Sequence, residues 1–309
     1  MRRSSKNPIR ALLCGFFFVF PVLFFAGCGH KNARLLTDRG GNTVSVSGRI
    51  NKVISTAPSS TEIIVDLGMA DTLAAVDKYS LDVEGVAQDL PLIDFFFPDA
   101  EVIIGIAPDV IISNGHNNLG SGADAFKLIR EAGIPVVYIP LSPDIEGICG
   151  DIEFVADVLN VPERGRKLVQ SLKDQVEDIA AVGRTIENKK TVYFEISPAP
   201  DLVTVGRNTY LHEMITIIGA VNIFADQIGV IFPNAEAILN RNPDVIITNI
   251  PGGGNPVEEI KNREGFEHIT AIKNNSIYAV DTNSSSRPSA RILSALKQMA
   301  KAVYPDKYE

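Results

Sequence analysis

The sequence predicts an α/β protein of two lobes, each a mainly parallel sheet flanked by helices, joined by one long helix. Three observations carry this. Short β-branched runs alternate with stretches of helical period along most of the chain; an 18-residue unit occurs twice, 135 residues apart; and a single amphipathic stretch without strand signal separates the two copies. Continuous apolar strands separated by helices mark parallel sheets covered on both faces. The 309 residues suffice for two such lobes, since a domain usually takes about 100–200 residues.

Residues 1–27 read as an export signal. Arg2, Arg3, Lys6 and Arg10 precede an apolar run from 11 to 26, which ends in Phe25-Ala26-Gly27-Cys28. Basic residues, a short apolar core and small residues at its end describe a secretory signal rather than a spanning helix. The ending resembles a bacterial lipobox, which makes Cys28 the lipid-carrying first residue of the mature protein; several acyl chains would anchor it stably where one would not. An uncleaved N-terminal anchor is the other reading of this run, and either way the remainder is exported and membrane-tethered. Residues 28–42 are polar and read as a flexible tether, with the folded part expected from about Thr43.

The N-terminal lobe, residues 43–160, carries strand runs at 52–55, 109–113 and 135–139. In Pro58-Ser59-Ser60-Thr61-Glu62, Ser59 and Glu62 have the spacing of a capping box, which starts a helix at the C-terminal end of the first strand. That edge is where open α/β sheets bind ligands. The linker helix, residues 161–188, follows from Val161, Leu168, Val169, Leu172, Val176, Ile179 and Val182, apolar at spacings of three, four and seven. As the only connection, a stiff helix limits lobe closure to small angles. The C-terminal lobe, residues 189–309, has strand runs at 191–194, 244–248 and 277–280.

Residues 97–114 read FPDAEVIIGIAPDVIISN and residues 232–249 read FPNAEAILNRNPDVIITN; eleven of the 18 positions match. This spacing is too long for a solenoid, whose period is about 20–50 residues, and marks two related lobes. Each copy is expected to be a short helix running into a buried strand. Glu101 and Glu236 then sit at matching points, and Phe97, like Phe232, is expected in the core.

Composition narrows the function classes. With 29 Lys+Arg against 37 Asp+Glu, a net charge of -8 and no basic run after residue 10, the chain lacks the footprint of nucleic-acid binding. Three Cys without a C-x-x-C spacing argue against thiolate zinc and dithiol redox chemistry, and four His are too few for a naked metal held by several imidazoles. No G-x-G-x-x-G, Walker, H-E-x-x-H or G-x-S-x-G motif occurs. The chain is therefore expected not to be an enzyme and to hold no cofactor. The rival classes are an exported two-lobed metal-cofactor enzyme or chelatase, and a lipoprotein that binds another protein.

The run from Lys52 to Glu62, the two Pro-Asp-Val-Ile-Ile units, Gly219-Ala220-Val221-Asn222-Ile223-Phe224 and Arg287-Pro288-Ser289-Ala290-Arg291 resemble the ABC-transporter substrate-binding proteins for iron-siderophores, haem and cobalamin. The resemblance implies a metal chelate of iron or cobalt clamped between the lobes of a monomer and delivered to an ABC permease with its ATPase. It also implies that a surface glutamate on each lobe docks onto permease arginines, and Glu101 and Glu236 match those positions.

The ligand site is then expected in loops at the strand C-termini, with Ser59 among its residues. Tyr79 follows a strand where such binders offer an aromatic, and Phe95 or Phe96 is the candidate cleft platform. His116, with Asn117 beside it, follows a strand in a Gly-containing loop; its imidazole could reach an open metal position or donate to a chelate oxygen. Arg207 and Arg287 each precede a helix and would pair with ligand carboxylates or catecholates, whereas Arg291, four residues beyond Arg287, reads as structural. Glu195 ends a C-lobe strand at the cleft, and its charge favours a neutral or cationic ligand such as cobalamin or a carboxylate-poor siderophore. Six of the 15 Phe belong to the signal and Trp is absent, which favours a compact chelate over a flat macrocycle.

Overall fold

The structure is a computed structural model and describes residues 33–94, 96–115, 124–251 and 254–308. The signal segment and Cys28 lie outside these residues. No helix among the described residues is long and apolar enough to cross a membrane.

The expected tether is already folded in part. β1 (Arg34–Thr37) and β2 (Thr43–Val46) form an antiparallel hairpin, with Arg34 opposite Val46. Its polar sequence hid it, because the hairpin is held by distant partners. Arg34 donates to the carbonyls of Asp157 and Val158, and Arg39 pairs with Asp151 at 2.8 Å.

The N-lobe continues with β3 (Val53–Ser55), α1 (Pro58–Asp66), β4 (Leu73–Asp77), β5 (Leu92–Ile93), α2 (Ala100–Ile106), β6 (Val110–Asn114), α3 (Lys127–Glu131), β7 (Val136–Ile139) and α4 (Ile145–Val158). The five strands β3 to β7 pair in parallel in the order β5-β4-β3-β6-β7. The helix α5 (Pro162–Gly183) then leads into β8 (Thr191–Glu195), β9 (Thr204–Val205), α6 (Tyr210–Ile217), β10 (Val221–Asn222), β11 (Val230–Ile231), α7 (Ala235–Arg241), β12 (Val245–Thr248), α8 (Pro256–Lys261), α9 (Thr270–Lys273), β13 (Ile277–Ala279), α10 (Thr282–Ser286) and α11 (Ile292–Val303). The C-lobe sheet is parallel in the order β10-β8-β12-β13, which repeats the order β4-β3-β6-β7 of the N-lobe; β9 and β11 form a separate antiparallel pair.

The two copies of the repeated unit fold alike. α2 and α7 have seven residues each, are capped by the side chains of Asp99 and Asn234, and end in left-handed residues, Ala107 and Asn242. The Asp of each Pro-Asp secures the neighbouring first strand. Asp109 accepts from the amides of Asn51 and Lys52, and Asp244 from the amide and hydroxyl of Thr191. One expectation fails at these corners: Phe97 and Phe232 are not core residues but are 70% and 78% exposed. The buried residue common to both helices is Ile103 in one and Ile238 in the other.

One apolar cluster includes Ile63 and Ile152 of the N-lobe, Val169, Leu172 and Ile179 of α5, and Phe194 and Leu296 of the C-lobe. The linker face is therefore the one its periodicity predicts, but the helix stops at Gly183 rather than 188. There α5 meets the end of α6, and a Cβ at Gly183 would lie 2.0 Å from the carbonyl oxygen of Ile217. Gly183→Ala should cost about 1–3 kcal/mol, as overpacking does. Urea unfolding checks this, and an unchanged midpoint would show that the helix end has room to yield.

Candidate functional site

The C-terminal ends of both parallel sheets face one cleft. On the N-lobe side, β3 leads into Ala57 and Pro58, β4 into Tyr79, and β7 into Leu141, Ser142 and Pro143. On the C-lobe side, β8 leads into Ile196, β12 into Asn249, and β13 into α10. Two adjoining hollows result. One of about 380 Å³ lies between Leu141–Pro143 and the C-lobe residues Ile196, Thr209, Val230, Asn249 and Ser285. The other, about 280 Å³, is bounded by Pro58, Ser59, Tyr79 and Arg287. Ser286 and Pro288 line both.

Every described residue lining the larger hollow is uncharged, a mixture of aliphatic side chains with Ser, Thr, Asn and Tyr. Such a wall rewards apolar contact and neutral hydrogen bonding, and offers no fixed charge to a charged ligand. Among the described residues no group of three His, Cys, Asp or Glu is placed to hold a metal ion.

Ser59 does reach the cleft, but not through a capping box. Ala57 is the cap residue of α1 and has no side-chain bond, because Pro58 occupies the first helical turn and draws Ser59 inside the helix. Glu62 consequently does not bond back to the helix start. Tyr79 stands half-exposed on the wall, in a turn set by Asp77, whose carboxylate accepts from the Tyr79 amide at 2.8 Å and from the Ser80 hydroxyl. Burial holds the Asp77 carboxyl above its ordinary range. The Lys78 ammonium lies 4.9 Å from the centre of the Tyr79 ring.

Other expected site residues are used differently. Arg287 lines the smaller hollow with its guanidinium already paired, reaching across from the C-lobe to the N-lobe. Its two terminal nitrogens each lie 2.9 Å from an Asp82 oxygen, Nη1 lies 3.2 Å from Glu62, and Nη2 donates to the Tyr79 carbonyl. Ser289 donates to Glu62 at 2.6 Å, Asn283 to Asp82 at 2.9 Å, and Arg291 pairs with Asp66 at 2.9 Å. These contacts form a polar latch between the lobes. Burial raises the Glu62 carboxyl above its ordinary value, against the opposing pull of Ser289 and the two arginines. On a second side of the lobe interface, Glu213 accepts from the Ile145 amide at 2.7 Å.

Glu195 is likewise spent. It is fully buried and takes both Arg263 nitrogens, at 2.7 and 2.8 Å, so it brings no unpaired charge to the cleft and its charge says nothing about the ligand. Arg207 is exposed beside Asn208 and Thr209, which line the cleft; burial and Arg207 together hold the His212 imidazole below its ordinary value. Phe96 is exposed and lines neither hollow. Phe95, His116 and Asn117 lie outside the described residues. Glu101 and Glu236 are both exposed in the first turns of α2 and α7.

Sequence reasoning missed Glu62, Asp82, Asn283 and Ser289. Only Glu62 left a signal, as a carboxylate inside the otherwise uncharged run Ile54–Val65.

The periplasmic binding protein family matches residues 53–283. An uncharacterized ABC transporter substrate-binding lipoprotein of Bacillus subtilis, YvrC, is 29% identical, with 93% of this chain and 95% of that protein covered. The vitamin B12-binding protein of Vibrio campbellii is 28% identical over 82% of this chain and 89% of its own. Among solved structures, a possible iron-binding, periplasmic solute-binding protein of Staphylococcus epidermidis superposes with a TM-score of 0.74 at 28% identity, covering 83% of this chain and 99% of that one. The periplasmic heme-binding protein RhuT of Roseiflexus gives 0.73 at 25% identity, with 84% and 100% covered. The chain belongs to the periplasmic binding protein family, as a substrate-binding protein of the ABC-transporter type and not an enzyme.

Proposed function

We propose that this protein is an extracytoplasmic receptor, lipid-anchored through Cys28 and acting as a monomer, that captures a metal chelate between its lobes and delivers it to an ABC permease and its ATPase. The observation that carries the reading is the cleft, built from strand-end loops of both lobes, whose larger hollow is walled among the described residues by uncharged side chains. Relatives named for vitamin B12, iron and heme support a chelate as cargo. The wall further favours a chelate whose buried face carries little charge, a cobalamin or a neutral ferric hydroxamate, over the dianionic haem, because an anion placed there would lose its hydration without gaining a cationic partner. Glu101 and Glu236 then seat the loaded protein on the permease.

Titration of the purified protein with cyanocobalamin, a neutral ferric hydroxamate and haem, following quenching of the seven Tyr in a Trp-free chain, tests this. One neutral chelate should bind at least tenfold more tightly than haem and be recovered unchanged. Tighter haem binding would remove the charge argument, and turnover or the absence of any binding would remove the receptor reading.

A further inference from the structure

Most residues shared by the two copies of the repeated unit have a visible structural task. Ile103 and Ile238, and the paired strand residues Val110 and Val245, are buried. Asp109 and Asp244 hold the neighbouring strands. The Phe and Glu have none: Phe97 and Phe232 project into solvent, and Glu101 and Glu236 stand exposed four residues later. Copies that differ at seven of 18 positions have thus kept the same exposed aromatic and the same exposed carboxylate. Neither Phe lines the cleft hollows, so ligand contact does not account for them. Each also has exposed apolar residues within five positions before it in the chain, Leu92 and Phe96 before Phe97, and Ile228 and Val230 before Phe232.

We infer that Phe97 and Phe232 are paired aromatic anchors which insert into two equivalent apolar sockets of the membrane permease, each socket rimmed by a basic side chain that meets Glu101 or Glu236. This rests on the permease reading above. Two like corners on two like lobes call for a partner with two like halves. An exposed carboxylate next to each anchor calls for a basic rim, and electrostatic steering of that kind brings the anchors into register. A second copy of this chain is a poor occupant, since it would set like charges against one another at both corners. Large aromatics filling a pocket within a polar rim are the side chains that carry most of an interface's affinity.

The test replaces Phe97, Phe232, Glu101 or Glu236, one at a time, with photoreactive benzoylphenylalanine in the full-length protein expressed in its host. Lys167, exposed on α5 and outside both copies of the repeated unit, is the control. Irradiation should join positions 97 and 232 to a multispanning permease identified by mass spectrometry, with no such product from 167. Docking to that permease in nanodiscs should weaken about tenfold for either Phe→Ala variant and about a hundredfold for both, with thermal unfolding unchanged. Capture of the permease from 101 and 236 but not from 97 and 232 would overturn the anchors and leave the docking reading standing. Capture of a second copy of this chain, or equal capture from 167, would also overturn them. No permease from any of the four positions would remove both.

Discussion

A Glu101→Ala, Glu236→Ala double variant should lose chelate uptake by cells almost completely while its ligand affinity stays within twofold of the parent. The second half follows from geometry. Both carboxylates are exposed, lie on the short helices α2 and α7, and line neither cleft hollow. The helix starts are already capped by Asp99 and Asn234, so each glutamate adds only an exposed charge to the first turn, worth about 0.3–1 kcal/mol. The first half follows from the two-point character of the proposed docking. Once one lobe is seated, the second contact forms at a high effective concentration, so removing one glutamate weakens the complex and removing both leaves neither point. Single variants should therefore retain intermediate uptake. Radiolabelled chelate uptake, alongside binding to the purified variants, separates these effects; undiminished uptake by the double variant would remove the docking role.

What could be read from the sequence divides along a physical line. Periodicity and repetition report local burial and internal homology, and they located the lobes, the α5 core face and the matched corners. Contacts between residues far apart in the chain leave no such trace. Glu195 finds Arg263 68 residues away, and Arg287 meets Asp82 and Glu62 at separations of 205 and 225. A charged residue at a strand end or before a helix looks the same in the sequence whether it meets a ligand or a partner side chain. Hydrophobicity also misled at Phe97 and Phe232, where residue type stood in for burial; each is followed by Pro at an exposed corner, and Ile103 or Ile238 fills the core instead. The hairpin from Arg34 to Val46 was hidden because its strands are only four residues long and its hold comes from distant partners: Arg34 on two carbonyls, Arg39 on Asp151, and Leu36, Val44 and Val46 packed on the core.

Arg287→Ala should destabilise the protein by about 3 kcal/mol at pH 7.5, the order expected when one partner of a buried ion pair is removed. The cost falls on Glu62, whose side chain is 2% exposed and would keep only Ser289 and the more distant Arg291 to offset its desolvation. Asp82 is half-exposed and regains water, so its share is small. The pH dependence has a defined sign. Burial already holds Glu62 above the ordinary glutamate value of 4.5, so the folded protein binds a proton more readily than the unfolded chain. Between the ordinary and the raised value, stability therefore grows as pH falls. Arg287 pulls the Glu62 value down; without it the value climbs further and that window widens towards neutrality. The deficit of the variant should consequently shrink between pH 7.5 and pH 5.5, as measured by urea unfolding at both, while X-ray scattering at pH 7.5 reports lobes less tightly held. A deficit that stays constant across that range would assign the loss to packing of the arginine stem, and the latch would then be a steric contact rather than an electrostatic one.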